Sequence, residues 1–191
     1  MSWSTAIRWG VPGAILSGVL FTVLSLISLA TSEPAAHLDV IFGVAWLSTI
    51  IPVAGLHAVQ EGRYGLMGRG GAGSIVVGAI ATFLGALAVA SGSAFLGGFL
   101  FIVGGLLLLG GLVVLGIASL RGRVLPRWCG AALILALPLT ALAGPLTGGI
   151  LQAQSNSGDY PGVIVMGLLW LGLGYALWSW RAAAQQLMPA S

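Results

Sequence analysis

Six apolar segments without a single charged residue constrain this chain more than any other feature of its sequence. Each has 17 to 24 residues, and they are 11–30, 40–59, 74–90, 95–118, 130–150 and 163–180. About 20 residues of helix cross the ~30 Å hydrocarbon core of a bilayer. Continuous apolar runs of this length do not fit the alternating strands of a β-barrel, and a lone segment in lipid pairs its own backbone only as a helix. The sequence therefore predicts an all-α fold, a single transmembrane domain over 1–191 made of a six-helix bundle.

Composition excludes several other classes of protein. Charged residues make up 6% of the chain and hydrophobic residues 58%, whereas a soluble domain carries about 25% charged residues. This balance excludes a soluble globular protein and a disordered one. No basic cluster of the kind that binds nucleic acid is present, so the expected surroundings are the lipid bilayer. Cys129 is the only cysteine, which rules out an intramolecular disulfide.

The arginines predict the orientation of the bundle. All seven fall outside the six segments, at Arg8, Arg63, Arg69, Arg121, Arg123, Arg127 and Arg181. With six spans they share one side, which the positive-inside rule makes cytoplasmic. Both termini are then cytoplasmic, and the predicted location is the bacterial cytoplasmic membrane. An alternative for 11–30 is a signal peptide, although its apolar stretch exceeds the usual ~7–15 residues.

Small residues form a stripe along the 95–118 segment. Gly97, Gly104, Gly111 and Ala118 follow each other at intervals of seven. A stripe of small side chains lets another helix backbone approach closely, which is how helices associate where no hydrophobic driving force exists. We expect this helix to be the packing centre of the bundle. The alternative is a seam for self-association between two copies.

Two further patterns could carry function. Pro138 and Pro145, with Thr140 and Thr147, would kink the 130–150 helix and could line a solute site together with Ser25 of the first helix; ordinary membrane helices also carry such residues. Pro52, preceded by Ser48 and Thr49, has the same two interpretations.

His57 and Glu61 are four residues apart and share a helix face. This placement would suit a metal pair or a proton relay, although two ligands make an incomplete metal site. The alternative is a boundary histidine beside a glutamate that pairs with Arg63. The GRGGAG run around Arg69–Gly73 is expected to be a loop between two helices. Because it lacks a strand–helix context, it is not a phosphate-binding loop.

The residue types that the six segments lack exclude several kinds of cofactor binding and transport. The segments contain no lysine for retinal, no facing pair of histidines for haem and no carboxylate for ion-coupled transport. The sequence therefore predicts no catalytic residue, no metal and no cofactor.

Several short motifs carry a resemblance. Gly116-Ile-Ala-Ser-Leu-Arg121 is followed by Val-Leu-Pro-Arg-Trp128 and a helix with Pro138, and the chain also holds Leu66-x-x-Arg69-Gly and an ending Leu-Gly-Tyr-Ala-Leu-Trp178. The chain resembles uncharacterised multi-pass membrane proteins of high-GC bacteria. The resemblance implies a class of protein and no activity.

The expected function is non-enzymatic. We expect a small structural or accessory subunit, or a membrane interaction protein whose partner is another membrane protein or a second copy of the chain. The alternative is a small transporter or channel for a neutral or lipophilic solute.

Overall fold

The protein, seen here as a computed structural model that describes residues 3–30, 36–63, 65–150 and 163–186, forms its regular structure entirely from helices. In chain order they are α1 (Trp3–Ala30), α2 (Ala36–Ser48), α3 (Ile50–Gln60), α4 (Gly65–Ala90), α5 (Ala94–Gly122), α6 (Arg127–Ile150) and α7 (Ile164–Gln186). The all-α prediction is confirmed. Among the described residues, four stretches are long and apolar enough to cross a membrane, and two shorter apolar stretches lie in α6 and α7.

The expected single helix over 40–59 is two helices, α2 and α3, separated at Thr49. The reason is Pro52, which has no N–H to donate to the carbonyl of Ser48, and whose ring clashes with a helical carbonyl at that position. The Thr49 amide instead donates to the Trp46 carbonyl at 3.0 Å. The hydroxyl of Thr49 donates to the same oxygen at 2.6 Å, so the interruption is satisfied locally.

The GRGGAG run is helical and forms the second and third turns of α4, so the prediction of a loop was wrong. Intrinsic propensity disfavours four glycines in a helix, but tertiary contact decides the outcome here. Gly71 packs directly on the backbone of α5. The expected connector 151–162 lies outside the described residues.

A tight turn aligns α4 with α5. The Ser93 amide donates to the Ala88 carbonyl at 2.8 Å and the Gly92 amide to the Val89 carbonyl at 2.9 Å. Gly92 has a φ of +87°, and this left-handed residue with its two bonds is a Schellman ending of α4. Only three residues join the helices, which fixes them as an antiparallel pair.

Three glycines of α4 face three glycines of α5 along this pair, and the pairs are Gly71 with Gly111, Gly78 with Gly104 and Gly85 with Gly97. A Cβ added to Gly104 would lie 2.9 Å from the Gly78 carbonyl oxygen and 2.8 Å from the Thr82 amide nitrogen. The reciprocal Cβ on Gly78 would lie 2.7 Å from the Gly104 oxygen. The two backbones therefore touch where no side chain would fit.

The same device recurs at other helix crossings. A Cβ on Gly167 of α7 would lie 2.9 Å from the Gly18 oxygen of α1, and one on Gly116 of α5 would lie 2.7 Å from the Gly130 oxygen of α6. A Cβ on Gly10 would lie 2.9 Å from Cα of Gly55 in α3. These contacts join the first third of α1 to the middle of α3 and the end of α5 to the start of α6. The start of α4 lies beside both the end of α3, through Arg69 and Glu61, and the end of α5, through Met67 and Arg121, so Arg8, Arg121 and Arg127 lie toward one end of the bundle.

Larger side chains fill the space between the glycine contacts. Phe21 of α1 and Trp46 of α2 meet edge to face with ring centroids 4.8 Å apart. Trp170 of α7 and Leu112 of α5 belong to the same core cluster and are fully buried. Cys129 is buried in that cluster as well.

We predict that Gly104→Leu destabilises the fold while Gly105→Leu does not. The first places a side chain against the backbone of α4, which should lower the free energy of unfolding by about 3 kcal/mol, the upper end for overpacking. A Cβ on Gly105 meets no atom within 4 Å, and its replacement should change stability by about 0.5 kcal/mol or less. Denaturant unfolding followed by helical circular dichroism compares the two; equal losses would contradict the backbone contact.

Candidate functional site

A groove between α3 and α4 combines charged and apolar side chains. Its volume is about 390 Å³. His57 and Arg69 line one end of it. Ile50 and Val76 line the other end, about 10 Å away because seven helical residues rise by that amount. The groove thus runs from the arginine-bearing end of the bundle into its apolar middle.

The structure assigns Glu61 a different ion partner from the expected one. Nη2 of Arg69 lies 3.9 Å from Oε1 of Glu61, whereas Arg63 was the predicted partner. The reason is the helical start of α4, which brings Arg69 back toward the end of α3. The Arg69 side chain is 60% exposed and that of Glu61 34%, so this long contact adds little stability. His57 and Glu61 are thus both near Arg69, a neighbour that spacing along α3 alone did not indicate.

Hydroxyl groups cluster where α2 gives way to α3. Ser17 of α1 and Ser48 of α2 share a hydrogen bond of 2.8 Å. The Ser17 hydroxyl also lies 2.9 Å from the Gly13 carbonyl oxygen, and the Ser48 hydroxyl 2.6 Å from the Ala45 carbonyl oxygen. Because each hydroxyl has one proton, one serine donates to the other, which donates to its own helix. The cluster is therefore self-satisfied and ties α1 to the interruption. The sequence signals were the Ser-Thr pair ahead of Pro52 and the serines of the first helix, but their spacing did not indicate that Ser17 contacts Ser48.

The residues expected to line a solute site lie on two helices, α1 and α6, and each of these helices packs against α7. Ser25 of α1 is buried, and its hydroxyl donates to the Phe21 carbonyl at 2.9 Å. Pro138 of α6 is exposed. The Thr140 hydroxyl is buried and has no hydrogen-bond partner among the described residues. The side chains of Pro145 and Thr147 lie outside the described residues.

The outer face of α5 is exposed and apolar, with a second row of glycines beside it. Phe95, Ile102 and Leu106 are 92%, 65% and 71% exposed. A Cβ on Gly98 or Gly105 would meet no atom within 4 Å. Gly97, Gly104, Gly111 and Ala118, the expected packing residues, are all buried, and α4 covers the three glycines. The two rows therefore differ in that one is covered within the chain and the other is open.

Metal-binding side chains do not gather in the part of the chain that the structure describes. Within residues 3–30, 36–63, 65–150 and 163–186, no three of His, Cys, Asp and Glu lie close enough to hold an ion. No protein-family model, curated protein or solved structure matches this chain. Its functional interpretation therefore rests on the groove and on the outer face of α5.

We predict a measurable coupling between Ser17 and Ser48. Hydrogen bonds between membrane helices contribute about 0.6 kcal/mol on average, and each serine keeps a backbone acceptor when the other is lost. A double-mutant cycle with Ser17→Ala and Ser48→Ala should return a coupling free energy near that value. A coupling of zero would mean that the two hydroxyls do not interact.

Proposed function

We propose that this chain is a non-enzymatic integral membrane protein of the bacterial cytoplasmic membrane, with six spans and both termini cytoplasmic. Its helix ends with Arg63, Arg69, Arg121, Arg123 and Arg127 gather at one end of the bundle, which supports a cytoplasmic end under the positive-inside rule. The interruption at Thr49 leaves α2 and α3 as one span, since Leu38–Gln60 is apolar over 23 residues. The function we infer is that of an accessory subunit that binds another membrane protein.

The open glycine row of α5 carries this inference. Glycine costs about 1 kcal/mol of helix propensity relative to alanine, and lipid chains gain nothing from its thin profile. About 100° around the same helix, Gly97, Gly104 and Gly111 serve close contact with α4. Gly98 and Gly105 repeat the same spacing of seven with nothing yet packed on them. A transmembrane helix of a partner protein would pack against Gly98 and Gly105 in the way that α4 packs against Gly97, Gly104 and Gly111.

The flanking side chains favour a protein partner in the same way. Phe95 and Phe99 follow each other at four residues, and Ile102 and Leu106 continue the row at three and four. This is the spacing with which one helix contacts another along a seam. All four are more than half exposed. A partner helix would therefore contact a thin strip of glycines bordered by large apolar side chains. It could pack closely against the glycines and against these side chains.

Mild extraction from the native membrane tests the proposal. We expect a second membrane protein to co-purify at constant stoichiometry with the tagged wild-type chain. Gly105→Leu should reduce its recovery at least about tenfold, because a helix contact of about 1.4 kcal/mol or more is lost. Gly70→Leu is the matched control, since a Cβ there also meets no atom within 4 Å but lies on α4.

Three results would contradict the accessory role. If Gly105→Leu retained the partner as well as the wild type does, the partner would not bind through the glycine row. The chain could be isolated alone. It could also be isolated as a homodimer that Gly105→Leu dissociates, which would replace the partner protein by a second copy.

The transporter alternative is favoured by one observation, the unpartnered buried hydroxyl of Thr140. A buried hydroxyl without a partner costs free energy, and a polar solute would satisfy it. We expect, on this alternative, that vesicles containing the chain swell in glycerol and that Thr140→Val slows the swelling. Swelling no faster than in protein-free vesicles would exclude this function for glycerol-sized neutral solutes.

A further inference from the structure

We propose that the groove between α3 and α4 binds one anionic phospholipid, with the phosphate at Arg69 and an acyl chain along the apolar walls. The site is separate from the outer face of α5 and does not depend on the proposed partner.

The polar end of the groove suits a phosphate. Arg69 offers five N–H donors in a planar fork, and its contact with Glu61 at 3.9 Å is too long to be a hydrogen bond. The guanidinium is thus available for the short bidentate bonds that arginine makes to phosphate. His57 lines the same end and borders the space that the headgroup would occupy.

The apolar end suits an acyl chain. Ile50, Val53 and Val76 supply branched walls, while Ala54, Ala72 and Gly73 keep the floor low. A Cβ on Gly73 would meet no atom within 4 Å, so the space above this residue is open. A free phosphate ion would leave these walls uncovered, and a soluble anion would not select them.

The position along the helices matches the two parts of a lipid. α3 ends at Gln60 and α4 begins at Gly65, so His57 and Arg69 both lie about one turn from the end of the bundle. The apolar walls continue about 10 Å further in. Charge at the boundary and a concave apolar wall below it distinguish this groove from the convex outer face of α5, which a lipid would cover without selection.

Lipid retention measured by native mass spectrometry of the full chain tests the site. The purified protein is exchanged into micelles that contain equal amounts of phosphatidylglycerol and phosphatidylcholine, and the bound lipid is identified after release. We expect the wild type to retain one phosphatidylglycerol in preference to phosphatidylcholine. Raising the ionic strength should weaken the preference, since exposed charge interactions are screened.

Three variants separate the groove from general electrostatics. Arg69→Gln should lower the preference about tenfold, the effect of losing a charge-assisted hydrogen bond. Arg63→Gln removes an exposed arginine of the adjoining turn that does not line the groove, and it should leave the preference within about twofold. Glu61→Gln should raise the preference, because it removes the anion beside Arg69.

Gly73→Leu tests the apolar part with every charge intact. The leucine fills the open space and should displace the acyl chain, so that retention falls although Arg69 remains. Helical circular dichroism and the Tm of each variant establish that it is folded. Equal losses in Arg69→Gln and Arg63→Gln, or unchanged retention in a folded Gly73→Leu, would overturn the proposal.

Discussion

Direct contact between helix backbones at facing glycines is the interaction on which the rest of this structure depends. In a bilayer, where we propose that this chain lies, apolar side chains gain nothing by leaving the outer surface, so association must come from close packing and from hydrogen bonds between helices. Three glycine pairs join α4 to α5, and single crossings join α1 to α7, α1 to α3 and α5 to α6. The glycines at these crossings thus supply contact area that larger residues would block.

Close backbone contact also determines which surfaces remain for binding. Helices held together at thin stripes keep their large side chains on the outside, as the exposed Phe95 and Leu106 of α5 show. Between α3 and α4, small residues such as Ala72 and Gly73 leave a concave groove beside Arg69. Hydroxyl groups in the interior are used mainly within their own helices, and Ser119 bonding to the Leu115 carbonyl at 2.8 Å is an example. The two candidate binding surfaces therefore lie on the outside of the bundle.

The sequence was most informative where a pattern belongs to one helix. The apolar segments predicted helices, and the spacing of Gly97, Gly104 and Gly111 indicated a packing face. Gly71, Gly78 and Gly85 have the same spacing in the sequence, but this second row was not recognised because Gly71 lay in a run that was predicted to be a loop. The predicted segment began only at position 74, after Arg69, whereas contact with α5 outweighs the low helix propensity of the glycines before it.

Features that need two helices were beyond reach from the sequence. The approach of Arg69 to Glu61 depends on where α4 starts, and the bond between Ser17 and Ser48 depends on how α1 crosses the interruption at Thr49. Spacing along α3 placed His57 and Glu61 on one face without revealing the arginine across the groove. That Gly98 and Gly105 are uncovered likewise becomes clear only once it is known which side of α5 is packed against α4.

Disulfide crosslinking that determines the register of α4 against α5 tests the glycine-packed fold most directly. Because both glycine rows repeat every seven residues, a slip of one heptad would still pair two glycines of each row. The hydroxyl of Ser74 donates to the Leu107 carbonyl at 2.8 Å, which marks the observed register. In a Cys129→Ala background, Ser74→Cys combined with Leu107→Cys should form a disulfide rapidly in native membranes, and Ser74→Cys combined with Leu100→Cys or Val114→Cys should not. Faster crosslinking of either shifted pair would contradict the glycine register and the fold built on it.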